Sequence, residues 1–324
     1  MKAWALSRQA PIERDPLRLK DIPKPKPGKG QVLLRVLCCG VCHTDLHIVE
    51  GDIPLKRRPT IPGHQIVGLD EASGRRVGVP WLHTTCGKCA DCKAGRENLC
   101  TRAKFTGYHV PGGFAEYAAV DKKAAYPLPG NYSDVEAAPL LCAGVIGYRA
   151  LRLSGSGKRL GLYGFGASAH LTLQMARHVG CRVYVFSRTP DHRSLARKLG
   201  AAWTGRAEDK PPRPLDGGII FAPAGGLVPL ALSHLKAGGT LALAGITMTP
   251  LPAMPYSLIY GERRLLSVAN STRQDVLDFL RLAGGRKLRI QTEVFPMSEA
   301  PSVLRRLKQG EVHGAAVLTP GWTT

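Results

Sequence analysis

The sequence predicts an α/β protein in which a doubly wound parallel sheet is inserted into a β-barrel-like domain. Three observations carry that reading. Residues 1–130 hold short Val/Leu/Ile runs punctuated by Gly and Pro, the pattern of a barrel. From about residue 144 strand-like and helix-like segments alternate, which requires a parallel sheet with helices on both faces. After residue 272 the chain returns to short strands around one helix. The domains expected are therefore 1–143 with 273–324, and 144–272.

In chain order, Gln31–Leu37, Ile66–Leu69, Arg76–Val79 and Phe114–Val120 read as barrel strands, and Pro23–Gly28 as a stiff surface loop. Arg159–Tyr163 is a strand that runs into Gly-Phe-Gly and a helix, Ser168–Val179, which Gly180 ends. Strand Arg182–Phe186, helix Asp191–Leu199, strand Gly218–Phe221, helix Leu227–Leu235 and strands Thr240–Ala244 and Leu265–Ala269 complete the alternation. The tail supplies strand Thr292–Phe295, a helix near Ala300–Lys308 and strand Ala315–Leu318.

Composition bounds the function. With 44% hydrophobic and 21% charged residues in a 324-residue chain, two domains with a substantial core are possible. No run approaches the ~18 apolar residues of a membrane span, and the apolar start Met1–Leu6 is too short for an export signal, so a cytoplasmic protein with no membrane partner is expected. The net charge of +21 would suit nucleic acid, but the basic residues are scattered from Lys2 to Lys308. The longest local run, Lys56-Arg57-Arg58, is brief and has no interleaved aromatics, so no nucleic-acid partner is expected. A polyanionic cofactor on a basic surface accounts for the charge as well. Nine cysteines at short spacings, with no export signal, point to metal rather than disulfides.

Cys86-x2-Cys89-x2-Cys92-x7-Cys100 is the strongest local signal. Four thiolates at this spacing can close a tetrahedral shell around Zn²⁺ with no open position, a structural site, and Gly87 and Gly95 let the loop wrap the ion. A zinc-stabilised nucleic-acid or chaperone-like protein would also use such a loop. A second group is dispersed: Cys42-His43-Thr44-Asp45-Leu46-His47, then Gly63-His64-Gln65, then Leu141-Cys142-Ala143-Gly144. Taken singly, His64 reads as a loop or core histidine and Cys142 as a small core residue. Downstream, Gly164-Phe165-Gly166-Ala167-Ser168-Ala169 closes one strand and opens a helix, as dinucleotide binding requires. Gly164 makes the tight turn, Gly166 admits the pyrophosphate to the helix N-terminus, and Ala169 allows close helix–strand packing. The next strand ends in Ser187-Arg188-Thr189, without the acid that binds a ribose 2′-hydroxyl. Donors and positive charge there favour NADP(H) over NAD(H).

Together, in this order and spacing and over essentially the whole chain, these motifs resemble the zinc-containing medium-chain alcohol dehydrogenases. The resemblance implies a GroES-like barrel domain and a Rossmann domain, and two Zn²⁺ per chain. It places the catalytic zinc on Cys42, His64 and Cys142, leaving a fourth position for water or the substrate oxygen. It implies reversible hydride transfer between a nicotinamide cofactor and a primary alcohol or aldehyde, used as NADPH-dependent aldehyde reduction. Thr44 and His47 would relay the alcohol proton. Asp45 would orient His64, His43 would lie near the cofactor pyrophosphate, and Ile53 and Trp81 would line an apolar substrate pocket with room beyond ethanol. A homodimer or homotetramer is implied, pairing through the edge Leu265–Ala269. An NAD-linked polyol or formaldehyde dehydrogenase remains the alternative. Two departures stand out: Gln65 occupies the place of the family's Glu after the ligand histidine, and Asp70–Gly74 is a trimmed loop.

Overall fold

A computed structural model describes residues 1–155 and 157–322. The chain divides into two compact units, Met1–Cys142 with the segment from Thr272 onward, and Ala143–Ser271.

The first unit is built on a seven-stranded sheet. Across it lie Thr292–Pro296, Ala315–Thr319, Gln31–Val41, Gln65–Asp70, Arg76–Val79 and Tyr126–Pro127, with Tyr117–Asp121 also pairing to Gln31–Val41. The long strand Gln31–Val41 alternates at Leu34, Arg35 and Val36, then is buried on both faces from Cys38 to Val41. It lies close along its antiparallel neighbour, since a Cβ on Gly68 would lie 3.0 Å from Leu34 Cβ. Leu34, Ile48, Ile66, Phe114, Val303, Leu304 and Leu318 close one apolar core beneath it. Burying each such side chain contributes about 1.5–3 kcal/mol before entropy is charged against it.

The second unit carries a six-stranded sheet, all parallel. Its order across the sheet is Trp203–Gly205, Arg182–Phe186, Arg159–Tyr163, Leu215–Ile220, Leu235–Leu243 and Arg264–Ser267. The strand order therefore reverses beside Arg159–Tyr163, the switch point at which a doubly wound sheet binds its ligand. The helix that follows, Ala167–His178, begins at the carboxyl end of that strand.

The expected strands and helices form, most with ends shifted by one to three residues. Several elements escaped the sequence reading, and four of them are informative. Helix His43–Glu50 lies inside the region read as all-β; its N-cap is Cys42, a residue type that seldom caps helices. Helix Ala143–Leu153 contains Gly144 and Gly147, poor helix formers. Gly147 is there for contact, because a Cβ would stand 2.2 Å from Thr172 Oγ1 on the next helix. Strand Trp203–Gly205 is only three residues long. Helix Arg273–Gly285 carried a legible start, the Thr272/Asp275 capping box. Among the described residues no helix is long and apolar enough to cross a membrane.

Candidate functional site

Two clusters of metal-ligating side chains form in the first unit. In one, the Sγ atoms of Cys86, Cys89, Cys92 and Cys100 lie within 4.8 Å of one another. Gly87 and Gly95 both adopt left-handed backbone (φ 70° and 69°), as a loop wrapping an ion needs. The backbone N–H groups of Lys88 and Cys89 hold the Cys86 thiol at about 5, while burial pushes Cys92 up to about 11. The loop thus already carries thiolate character, and a bound cation would displace the protons that remain. Four soft donors with no further position suit a structural Zn²⁺.

In the other cluster, ligand atoms of Cys42, His64 and Cys142 also lie within 4.8 Å of one another. His64 Nε2 is 3.4 Å from Cys42 Sγ, which is 3.9 Å from Cys142 Sγ. Three elements deliver them. Cys42 caps helix His43–Glu50, and Cys142 follows the tight turn Ala138–Leu141. His64 is preceded by Gly63 at φ 95°, where a Cβ would strike Phe114 Cδ1 at 2.6 Å. Asp45, fully buried, joins them. Its Oδ1 accepts from His64 Nδ1 and the Gly63 amide, and its Oδ2 accepts from the Cys42 amide, each at 3.0 Å. With Nδ1 donating to the carboxylate, His64 presents Nε2 to the sulfur pair, the tautomer a metal ligand needs.

Proton sharing in this cluster follows from its contacts. A hydrogen bond from Cys142 and the pull of His64 hold the Cys42 thiol well below its ordinary range against burial. The same hydrogen bond, with burial, pushes Cys142 well above it. Burial opposes charge on His64, but Asp45 and the Cys42 sulfur outweigh it and push the imidazole up. Two sulfurs and an imidazole that share protons, yet converge on one point, are a donor set suited to Zn²⁺ with one position left open.

Around this cluster the other expected residues take their places. Thr44 and His47 lie three apart on the same helix and so share a face. His47 Nδ1 is 2.7 Å from Asp52 Oδ2, a partner the sequence reading missed. Gly51, at φ 106°, reverses the chain so that Asp52 returns over the last turn. His43 is exposed, its ring 6.4 Å from that of His47. Trp81 sets its ring edge to face with His64 at 5.0 Å and stacks on Phe105 and Tyr108 at 5.1 and 5.9 Å. Ile53 donates its amide to the His47 carbonyl, and Tyr108 Oη donates to Pro54, tying that loop to the aromatic wall. Gln65 is buried with Nε2 unpartnered, its amide lying against Gly40.

In the second unit Gly164 has φ 85°, and a Cβ there would press the Ala222 backbone at 3.0–3.5 Å. A Cβ on Gly166 would meet nothing of the chain within 4 Å. The bare backbone at this helix start is thus an open cradle for an anion. Ala169 is fully buried. At the end of the next strand Ser187 is buried, with Arg188 and Thr189 exposed. Ser187 Oγ accepts from the Thr189 amide and lies 3.4 Å from His192 Nδ1. Arg193 Nη1 donates to the carbonyls of Ser187 and Arg188 at 2.6 and 2.9 Å. Neither His192 nor Arg193 was singled out in the sequence; both come one turn into the helix Pro190–Lys198, whose spacing was the available signal.

Comparison with known proteins agrees with this arrangement. Residues 28–130 match the family described as "Alcohol dehydrogenase GroES-like domain", and residues 169–284 match "Zinc-binding dehydrogenase". The chain is 43% identical to "Probable alcohol dehydrogenase AdhA" of Mycobacterium tuberculosis, over 98% of this chain and 97% of that protein. It is 34% identical to an alcohol dehydrogenase of Geobacillus stearothermophilus, over 94% of this chain and 96% of that one. Among solved structures, a cinnamyl alcohol dehydrogenase of Sorghum bicolor superposes with a TM-score of 0.89 at 28% identity, covering 100% of this chain and 99% of its own.

The geometry makes Asp45 the residue on which the three-donor cluster depends. Asp45→Asn should keep the fold but weaken Zn²⁺ or Co²⁺ binding at Cys42, His64 and Cys142 by about 10- to 100-fold. Filling of the four-cysteine loop should be unchanged. Competition titration with a chromophoric chelator reads both sites; equal affinity at the three-donor site would show that the carboxylate does not orient His64.

Proposed function

The chain belongs to the zinc-dependent medium-chain alcohol dehydrogenases, and from that premise we propose that it interconverts primary alcohols and aldehydes, working as an NADPH-linked aldehyde reductase. The observation that carries this reading is the convergence of Cys42, His64 and Cys142 on one point, with Asp45 locking the imidazole. These three would hold the catalytic zinc, and Cys86, Cys89, Cys92 and Cys100 a structural one. The catalytic ion would polarise the substrate oxygen, and the nicotinamide would exchange the hydride.

The chain's own residues supply the rest. In oxidation the alcohol proton leaves through the Thr44 hydroxyl to His47, whose Nδ1 is engaged by Asp52, so Nε2 is the accepting atom. In reduction the same route runs backwards, with Asp52 holding the His47 ring in place. Ile53 and Trp81 would line the substrate pocket, and the wall of Trp81, Phe105 and Tyr108 favours an apolar substrate. Gly164, Gly166 and the start of helix Ala167–His178 would hold the pyrophosphate, with His43 near it. Ser187, Arg188 and Thr189, joined by Arg193, would hold the 2′-phosphate; the next acid in sequence, Asp191, belongs to the following helix. Pairing of two copies along the sheet edge Arg264–Ser267, open on one side, would give a homodimer or the core of a homotetramer.

Three outcomes test this. Metal analysis should give close to two zinc ions per chain, falling to one in Cys42→Ser with the fold retained; a metal-free, fully active enzyme would overturn the assignment. His47→Gln should lower alcohol oxidation most near pH 7 and recover partly at higher pH, where solvent accepts the proton. An unchanged pH–rate profile would remove His47 from the relay. Arg188→Ala and Arg193→Ala should each weaken NADPH about tenfold and leave NADH nearly unchanged, because charge-assisted bonds to a phosphate are lost. Wild-type preference for NADH in kcat/KM, or equal losses for both cofactors, would refute the phosphate pocket.

A further inference from the structure

Beneath the cofactor turns lies a buried polar pair that the reaction itself does not use. Tyr163 is the last residue of its strand, immediately before Gly164, and Phe186 is the last of its own, immediately before Ser187. The two pair in register across parallel strands, and their rings stack at 4.3 Å and 5°. His234, which ends helix Leu227–Ser233, lies nearly parallel to both, 6.1 Å from Tyr163 and 5.1 Å from Phe186. Its Nδ1 is 2.9 Å from Tyr163 Oη.

The sheet makes room for this stack. A Cβ on Gly161 would lie 3.1 Å from the Tyr163 ring and 3.4 Å from Phe186; one on Gly218 would lie 3.4 Å from Tyr163. The surroundings are otherwise apolar: Leu215, Ile220, Val228, Ala231, Leu232, Leu235 and Leu241. An apolar pair could fill such a core, so the hydrogen bond contributes direction rather than burial. The backbones above are coupled too. Gly164 N donates to Phe186 O at 2.9 Å, and Phe221 N donates to Tyr163 O at 2.9 Å. Burial pushes His234 below its ordinary range, so the neutral ring can accept the tyrosine hydroxyl.

We infer that the Tyr163–His234 hydrogen bond is a positioning device for the dinucleotide: through the Phe186 stack it fixes the spacing between the pyrophosphate turn at Gly164–Gly166 and the ribose turn at Ser187–Thr189. A dinucleotide must engage both turns at once, so an error in their spacing costs affinity even when each turn is intact. This rests on the nicotinamide-linked reading above. Tyr163 and His234 are positioning residues, since neither would touch the cofactor.

The test separates positioning from stability. Tyr163→Phe and His234→Leu each leave one buried polar group unpaired and should lower Tm; the double variant removes both orphans and should regain much of that loss. If the bond positions the turns, the double variant still binds NADPH about tenfold more weakly than wild type by nucleotide fluorescence. Its affinity for 2′-AMP, which lacks the 5′-phosphate and so reaches only the ribose turn, stays within about twofold. Wild-type NADPH affinity in the double variant overturns the inference, as does an equal loss for 2′-AMP. Should the double variant not fold, the same two nucleotides on Tyr163→Phe decide the matter. A wild-type chain that binds no dinucleotide overturns the nicotinamide reading, and this inference with it; failure in the variants alone leaves that reading standing.

Discussion

A carboxylate that is fully buried cannot remain charged unless hydrogen bonds replace its water, and Asp45 accepts three. Each bond ends on a different piece of the metal cluster: the Cys42 amide at the helix start, the Gly63 amide in the loop, and the His64 ring. Satisfying one charge therefore assembles one helix, one glycine turn and one ligand tautomer together. Charge-assisted bonds of this kind contribute about 1.5–3 kcal/mol each toward holding the ligand geometry. The same contact explains why helix His43–Glu50 exists where strands surround it, since Asp45 completes its capping box.

The glycines follow the same economy of space. Gly63 has φ 95° and touches Phe114, while Gly112 lies so close that a Cβ would stand 2.2 Å from Gly63 O. Backbone packs directly on backbone there, which fixes the position of His64 without a side chain in between. In the second unit Gly161 and Gly218 admit the Tyr163–Phe186 stack, whereas Gly166 faces open space. The glycines here are thus of two kinds: some yield room to the protein's own rings, and one is left uncovered by the chain.

Charge is distributed to match. The +21 excess is spread over the sequence rather than gathered in a single run. At the end of strand Arg182–Phe186, however, Arg188 follows Ser187 directly, and Arg193 is tethered to the carbonyls of both. A guanidinium held in this way is oriented before any anion arrives, and less rotamer entropy is lost on binding.

The order of the motifs already stood in the sequence: Cys42 before His64, four cysteines at short spacings, Cys142, then Gly164-Phe165-Gly166. Local spacing carries such signals because a metal loop and a strand–turn–helix are formed within a few residues. Strand Arg159–Tyr163 and strand Arg182–Phe186 were legible to the residue, since apolar runs bounded by Gly and polar turns leave little choice. Helix His43–Glu50 was not, because its cap is a cysteine and its buried face is set by packing against the barrel core. Asp52 beside His47 and the Tyr163–His234 pair were also beyond the sequence; the first depends on the left-handed turn at Gly51, the second joins residues 71 apart. Residue types and short spacings therefore determined which chemistry the chain can hold. Tertiary structure decided which side chains orient it, because hydrogen-bond direction and ring stacking exist only once distant segments have been brought within a few ångströms.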